Sequence, residues 1–189
     1  MIHPLQPIRD YFLECYHQSI AKARNELDQF ATELLLEIPS LKNLEYCYRL
    51  YRADIIGKRN GETKILEVAV GEREVAAWKS IMPVGVTFDA PIVWYGIEFE
   101  IFGATPNESK LIDWTNRWLD ISDSHYESSA EFQQVVHSVT SPKITDSGYS
   151  ISVDFGSAPT AAFDELTQLL IRDAKRVSVG SFFLSRAAT

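Results

Sequence analysis

Apolar residues recur with a helical period at the start of the chain. Ile8, Phe12, Cys15, Ile20, Ala23, Leu27, Phe30 and Leu34 follow one another at about 3.7 residues, the repeat of one buried helical face. Pro4 and Pro7 suit the approach or first turn, and Pro39 cannot continue the helix. The pattern therefore predicts one long helix ending near Ile38.

From Leu44 to Ile56 the period falls to two. Leu44, Tyr46, Tyr48 and Leu50 alternate with Glu45, Cys47, Arg49 and Tyr51, a strand pattern rich in tyrosine. Gly57 to Gly61 is turn chemistry, and Thr63 to Val70 is again extended, so a hairpin with a five-residue connection is expected. Glu72 to Met82 fits either a short helix or a strand. Val84 to Phe88 and Pro91 to Phe102 read as strands. In the second, Val93, Tyr95, Ile97, Phe99 and Ile101 share one face, with Trp94, Gly96, Glu98 and Glu100 on the other.

Two capping-box spacings follow. Thr105-Pro106-Asn107-Glu108 precedes Leu111, Ile112, Thr115, Trp118 and Leu119, and Ser128-Ser129-Ala130-Glu131 precedes Phe132, Val135, Val136 and Val139. Each predicts a helix. After Pro142, residues 143–146 and 149–155 form a second expected hairpin about Ser147-Gly148. Ser157 is placed to cap a helix from about Pro159 to Lys175, and Val177 to Phe183 is the last strand. A strand, a helix and a strand in succession predict a parallel crossover pair. The fold class expected is α+β: a long N-terminal helix on a mainly antiparallel sheet, two middle helices and a C-terminal β-α-β unit. A single domain over 1–189 is the economical division, with two subdomains joined near 103–142 as the weaker one.

Charge adds a feature that periodicity lacks. Of a net −8, residues 80–142 carry −7, from nine acids against two bases. A field of that sign repels nucleic-acid and membrane phosphates and attracts basic partners. No apolar run is long enough for a membrane span, no secretory leader is evident, and two cysteines fit a reducing cytoplasm.

Candidate chemistry is sparse. Asp154-Phe155-Gly156 spells the magnesium-binding tripeptide of protein kinases, but the other kinase motifs are missing. Glu98 and Glu100 share a strand face and, with Asp154, could serve a small carboxylate- or metal-dependent hydrolase or ligand-binding enzyme. Asp120, Asp123, His125 and Glu127 crowd one loop without calcium-loop or zinc spacing. His137 reads as a helix-surface residue, Cys15 as packing and Cys47 as an unactivated thiol. The tyrosine-rich strand, including Tyr48 and Tyr51, has interface composition and could pair two copies of the chain.

The leading expectation is thus a non-catalytic cytoplasmic binding protein, inhibitor- or immunity-like in character. It would present Glu98, Glu100, Asp120, Asp123, Glu127, Tyr48 and Tyr51 to a basic macromolecular partner, with no cofactor or metal.

Overall fold

In the computed structural model, the residues described are 3–70, 85–88, 92–124, 126–127 and 130–181. The ambiguous stretch Glu72 to Met82 lies outside them, as does His125.

Helix α1 spans Gln6–Glu26, with proline in its first turn and Ile8, Phe12, Cys15, Tyr16, Ile20 and Ala23 buried. It does not reach Ile38. Leu27 turns extended, and Gln29–Glu37 forms strand β1. The apolar stripe misleads there because Phe30 and Leu34, four residues apart, share a face in a strand as well as in a helix. Pairing decides between the two: β1 runs antiparallel to β2, Leu50–Arg59, with eight residues in register. Residues 46–49 ahead of β2 are a 3₁₀ turn rather than strand. β2 then continues through Gly57 to Arg59, and only Asn60-Gly61 connects it to β3, Glu62–Leu66. Both of those residues have positive φ, 53° and 82°, as the tight hairpin turn requires. The expected five-residue connection is thereby shortened to two.

Strand β4 is Val86–Phe88, and β5 is Ile97–Phe102. Ile97, Phe99 and Ile101 are buried, as the alternation predicts. Trp94, expected on the opposite face, is also buried. It precedes the regular strand in a turn, and its indole Nε1 donates to the Gly156 carbonyl at 2.9 Å. Helix α2, Glu108–Trp118, is capped two residues later than predicted: Asn107, not Thr105, accepts from the Lys110 N–H.

Among the described residues the second middle helix is absent. Residues 130–137 are irregular and lead into the two-residue strand β6, Ser138–Val139. Their backbone hydrogen bonds go outward to other elements. Val136 N–H donates to the Trp118 carbonyl at 2.8 Å, His137 N–H to Asp154 at 2.8 Å, and Val135 N–H to Ser157 Oγ at 3.2 Å. Ser157 is therefore a partner of this segment and not the cap of the next helix.

The C-terminal hairpin is present as β7, Lys143–Thr145, and β8, Gly148–Asp154. Helix α3, Thr160–Ile171, ends earlier than expected and leads to β9, Arg176–Ser181. β8 and β9 run parallel but are not neighbours. Each pairs antiparallel with β5, which lies between them, and the parallel ladder of β9 is with β4. The described strands form one sheet in the order β1-β2-β6-β8-β5-β9-β4, with β3 beside β2 and β7 beside β8. The α+β class and the mainly antiparallel sheet stand.

Under α2 and α3 the core is aromatic. Phe155 lies 4.9 Å from Trp94 and 5.8 Å from Phe163, which in turn lies 5.6 Å from Phe99. Such tilted pairs add to the burial of large apolar area. Among the described residues no helix is long and apolar enough to cross a membrane.

Candidate functional site

The short strand β6 joins two halves of the sheet: β1-β2-β3 on one side and β8-β5-β9-β4 on the other. It shares one register pair with β2 (Tyr51–Ser138) and two with β8. Charged side chains gather where so little backbone bridges the gap.

Arg52 is buried on β2 and reaches across the seam. Its Nε donates to the Leu119 carbonyl at 2.9 Å, Nη1 to Glu33 at 2.8 Å and Nη2 to Asp120 at 2.7 Å. Nη2 also lies 2.7 Å from Asp123 Oδ1. A planar guanidinium with five donors suits four acceptors converging from two directions. The loop after α2 is thereby clamped to the sheet. Asp120 is buried, and its Oδ1 accepts from the backbone and hydroxyl of Ser124. The Asp123 side chain, although paired, keeps 46% of its surface exposed.

Next to this clamp sits His137, fully enclosed. Its Nε2 is 2.6 Å from Glu33 Oε1, and its Nδ1 is 2.9 Å from Asp54 Oδ1, close but poorly aligned for a hydrogen bond. Burial opposes the charged ring, yet Asp54 and Glu33, with Asp154 nearby, outweigh it and hold the imidazole pKa well above its ordinary value. Asp154 moves the other way from most carboxylates. Burial pushes it up to about 6, against the pull of the His137 charge. Tyr16 of α1 packs edge-on to the His137 ring and donates to the Asp54 carbonyl.

Four non-glycine residues around these groups have left-handed backbone: Glu33 (φ 53°), Asp120 (49°), Asp123 (52°) and Gln134 (58°). Asp tolerates that region comparatively well, but Glu and Gln pay for it. The buried Glu33 is held there by three contacts. Its carbonyl accepts from Arg52, and its carboxylate meets His137 and the Gln133 N–H.

Beside the clamped loop opens a cleft of about 450 Å³, lined by Arg117, which pairs with Glu165, and by Trp118, Asp120, Glu127, Phe132 and Gln133 among others. The Glu127 backbone is fixed by a two-way exchange with the Gln133 amide at 2.8 and 2.9 Å. Trp118 donates to Glu165 at 2.7 Å, which keeps its ring in place. One wall is aromatic and the rim carries an exposed carboxylate.

The structure brings together Asp120, Asp123 and Glu127. The other predicted site residues lie elsewhere. Glu98 and Glu100 are on β5, across from Ser152 and Ser150 on β8 and from Gly180 and Ser178 on β9. Burial, then Glu100, raises the Glu98 pKa, and Lys143 opposes the shift. Asp154 is grouped with His137, not with these glutamates. Tyr48 is buried in the 3₁₀ turn, and Tyr51 is partly buried on β2. The acids of 80–142 are thus divided. Glu131, for instance, pairs with His17 and Arg24 of α1.

His137 is a buried residue of the seam, contrary to its reading as a helix-surface group. Cys15 and Cys47 are free and buried, and burial pushes the Cys47 thiol up to about 11, unfavourable for a nucleophile. Among the described residues no group of three or more His, Cys, Asp or Glu side chains is arranged to hold a metal ion. Arg52, Glu33, Gln133 and His137 were not singled out from sequence as a group. Gln133 and His137 lie four residues apart, but Glu33 and Arg52 are 19 apart and 81 to 104 residues from that pair, so no local spacing joins the group, and the only signal was an arginine inside a tyrosine-rich strand.

No family model, no curated protein and no solved structure matches the chain.

Proposed function

We propose that the protein is a non-catalytic cytoplasmic binding protein that offers an acidic, aromatic-walled cleft to a basic macromolecular partner, in the manner of an inhibitor. The observation that carries this reading is the Arg52 clamp. It fixes the chain at Leu119, Asp120 and Asp123, and Gln133 holds the Glu127 backbone, so the exposed Glu127 carboxylate shares the cleft with Trp118 and Phe132. A site ordered before contact loses less entropy on association. An arginine side chain of the partner would lay its guanidinium against the rings and its charge toward Glu127. Asp123 is already half-satisfied by Arg52 and contributes mainly to the field.

Calorimetric titration with an Arg-Gly repeat peptide, against the same peptide with citrulline in place of arginine, tests this reading. The arginine peptide should bind preferentially, at least tenfold more weakly in 0.5 M salt than in 0.05 M, because exposed charges are screened. Glu127→Lys and Phe132→Ala should each weaken it. Equal binding of both peptides, or indifference to both substitutions, would overturn the proposal.

A further inference from the structure

The sheet's two halves meet over very little backbone, and at that place four side chains from four elements converge on one ring. Glu33 comes from β1, Asp54 from β2 and Asp154 from β8, while Tyr16 of α1 covers the ring edge-on. His137 itself precedes β6 directly. Its backbone is part of the same joint: its N–H donates to Asp154 on one half, and its carbonyl accepts from Arg52 N–H at 2.7 Å on the other.

The ring is also pressed closely by backbone from the second half. Gly156, at the end of β8, has φ 48°, and a Cβ there would come within 2.0 Å of the imidazole. The backbone of the second half therefore lies directly on the ring. Arg52, the buried cation beside the seam, is committed to the carbonyls of Leu119, Glu33 and Asp120 and to Asp123. Three carboxylates with one cationic ring among them attract across the seam. With a neutral ring they repel, in surroundings too dry to screen them.

We propose that the protonated His137 ring is the pin holding the two halves of the sheet together, and that the protein opens along β6 when this ring loses its charge. Opening lets the histidine return toward the solvent value of about 6.5. Between that value and its higher folded one, opening releases a proton. The opening equilibrium should then rise with pH, at most tenfold per pH unit for one proton.

Amide hydrogen exchange read by NMR from pH 6.5 to 8.5, corrected for the intrinsic base-catalysed rate, tests the pin on the intact chain. Protection at Arg52, His137 and Thr140, whose N–H groups bond across or beside the seam, should fall as pH rises, by up to tenfold per pH unit. Phe99 and Ile151, paired inside the β5–β8 ladder, should keep theirs. His137→Gln should abolish the pH slope. Should that variant not fold, Asp54→Asn leaves the carboxylate pair with Glu33 and should weaken seam protection at pH 6.5 and flatten the slope. Flat protection in the wild-type protein would overturn the proposal. So would a parallel loss at Phe99 and Ile151, or an Asp54→Asn protein that exchanges like the wild type.

Discussion

Gly156 compresses several demands into one position. The chain must leave β8 with positive φ, accept the Trp94 indole N–H on its carbonyl and pass within van der Waals reach of the His137 ring. Alanine would be strained by the backbone angle and would drive its methyl group into an imidazole that Glu33 and Asp54 already fix. Gly156→Ala should therefore cost about 3 kcal/mol, a sum of overpacking and backbone strain, read as a lower urea midpoint at unchanged slope. A contrast is available at Gly61, which also has positive φ but faces open space. Alanine there meets only the conformational penalty, about 1 kcal/mol. The difference between the two separates contact with the ring from backbone angle.

At the scale of elements, the α2 cap sits where side-chain chemistry and not spacing puts it. Asn107 Oδ1 accepts from the Lys110 N–H at 3.3 Å and from Ser109 Oγ at 3.1 Å, so Asn107→Ala should lower stability by about 1 kcal/mol, measurable by thermal or urea unfolding. Thr105→Ala, at the position favoured by the motif, should be close to neutral. The same distinction explains which elements were legible. β5, β8 and the apolar face of α3 were readable because period-two or period-3.6 patterns persisted over a whole element with one covered side. β1 was not, since Leu and Glu favour a helix locally and only the ladder to β2, formed with residues 13 to 29 positions away, makes it a strand. The segment after Ala130 failed for a related reason. Its capping-box spacing was genuine as a pattern, but the Val136 and His137 N–H groups are taken by Trp118 and Asp154 from distant elements. Of the candidate site, the acidic loop was visible as composition. The arginine that clamps it was not.

For the molecule as a whole, the buried charges at the seam give stability an uncommon dependence on pH. Most carboxylates in ion pairs stabilise a fold above their unfolded pKa and lose that effect in acid. Asp154 has the opposite sign. Its folded pKa of about 6 lies above the ordinary 3.8, so between those values the folded state binds the proton and the unfolded state does not. Its contribution is full below about pH 4 and is lost as pH rises through 6. His137 continues the trend, its raised folded pKa giving stability that is complete below the unfolded value and lost as pH climbs above it. Exposed pairs such as Glu37 with Arg49 are each worth only a few tenths to about 1 kcal/mol. Urea unfolding of wild type and Asp154→Asn at intervals from pH 4 to 7 isolates the buried carboxyl. The variant cannot ionise there, so its stability relative to wild type should increase with pH, by up to about 3 kcal/mol for a two-unit shift. A constant difference across that range would mean that Asp154 titrates as an ordinary carboxyl and that the seam is wetter than its packing implies.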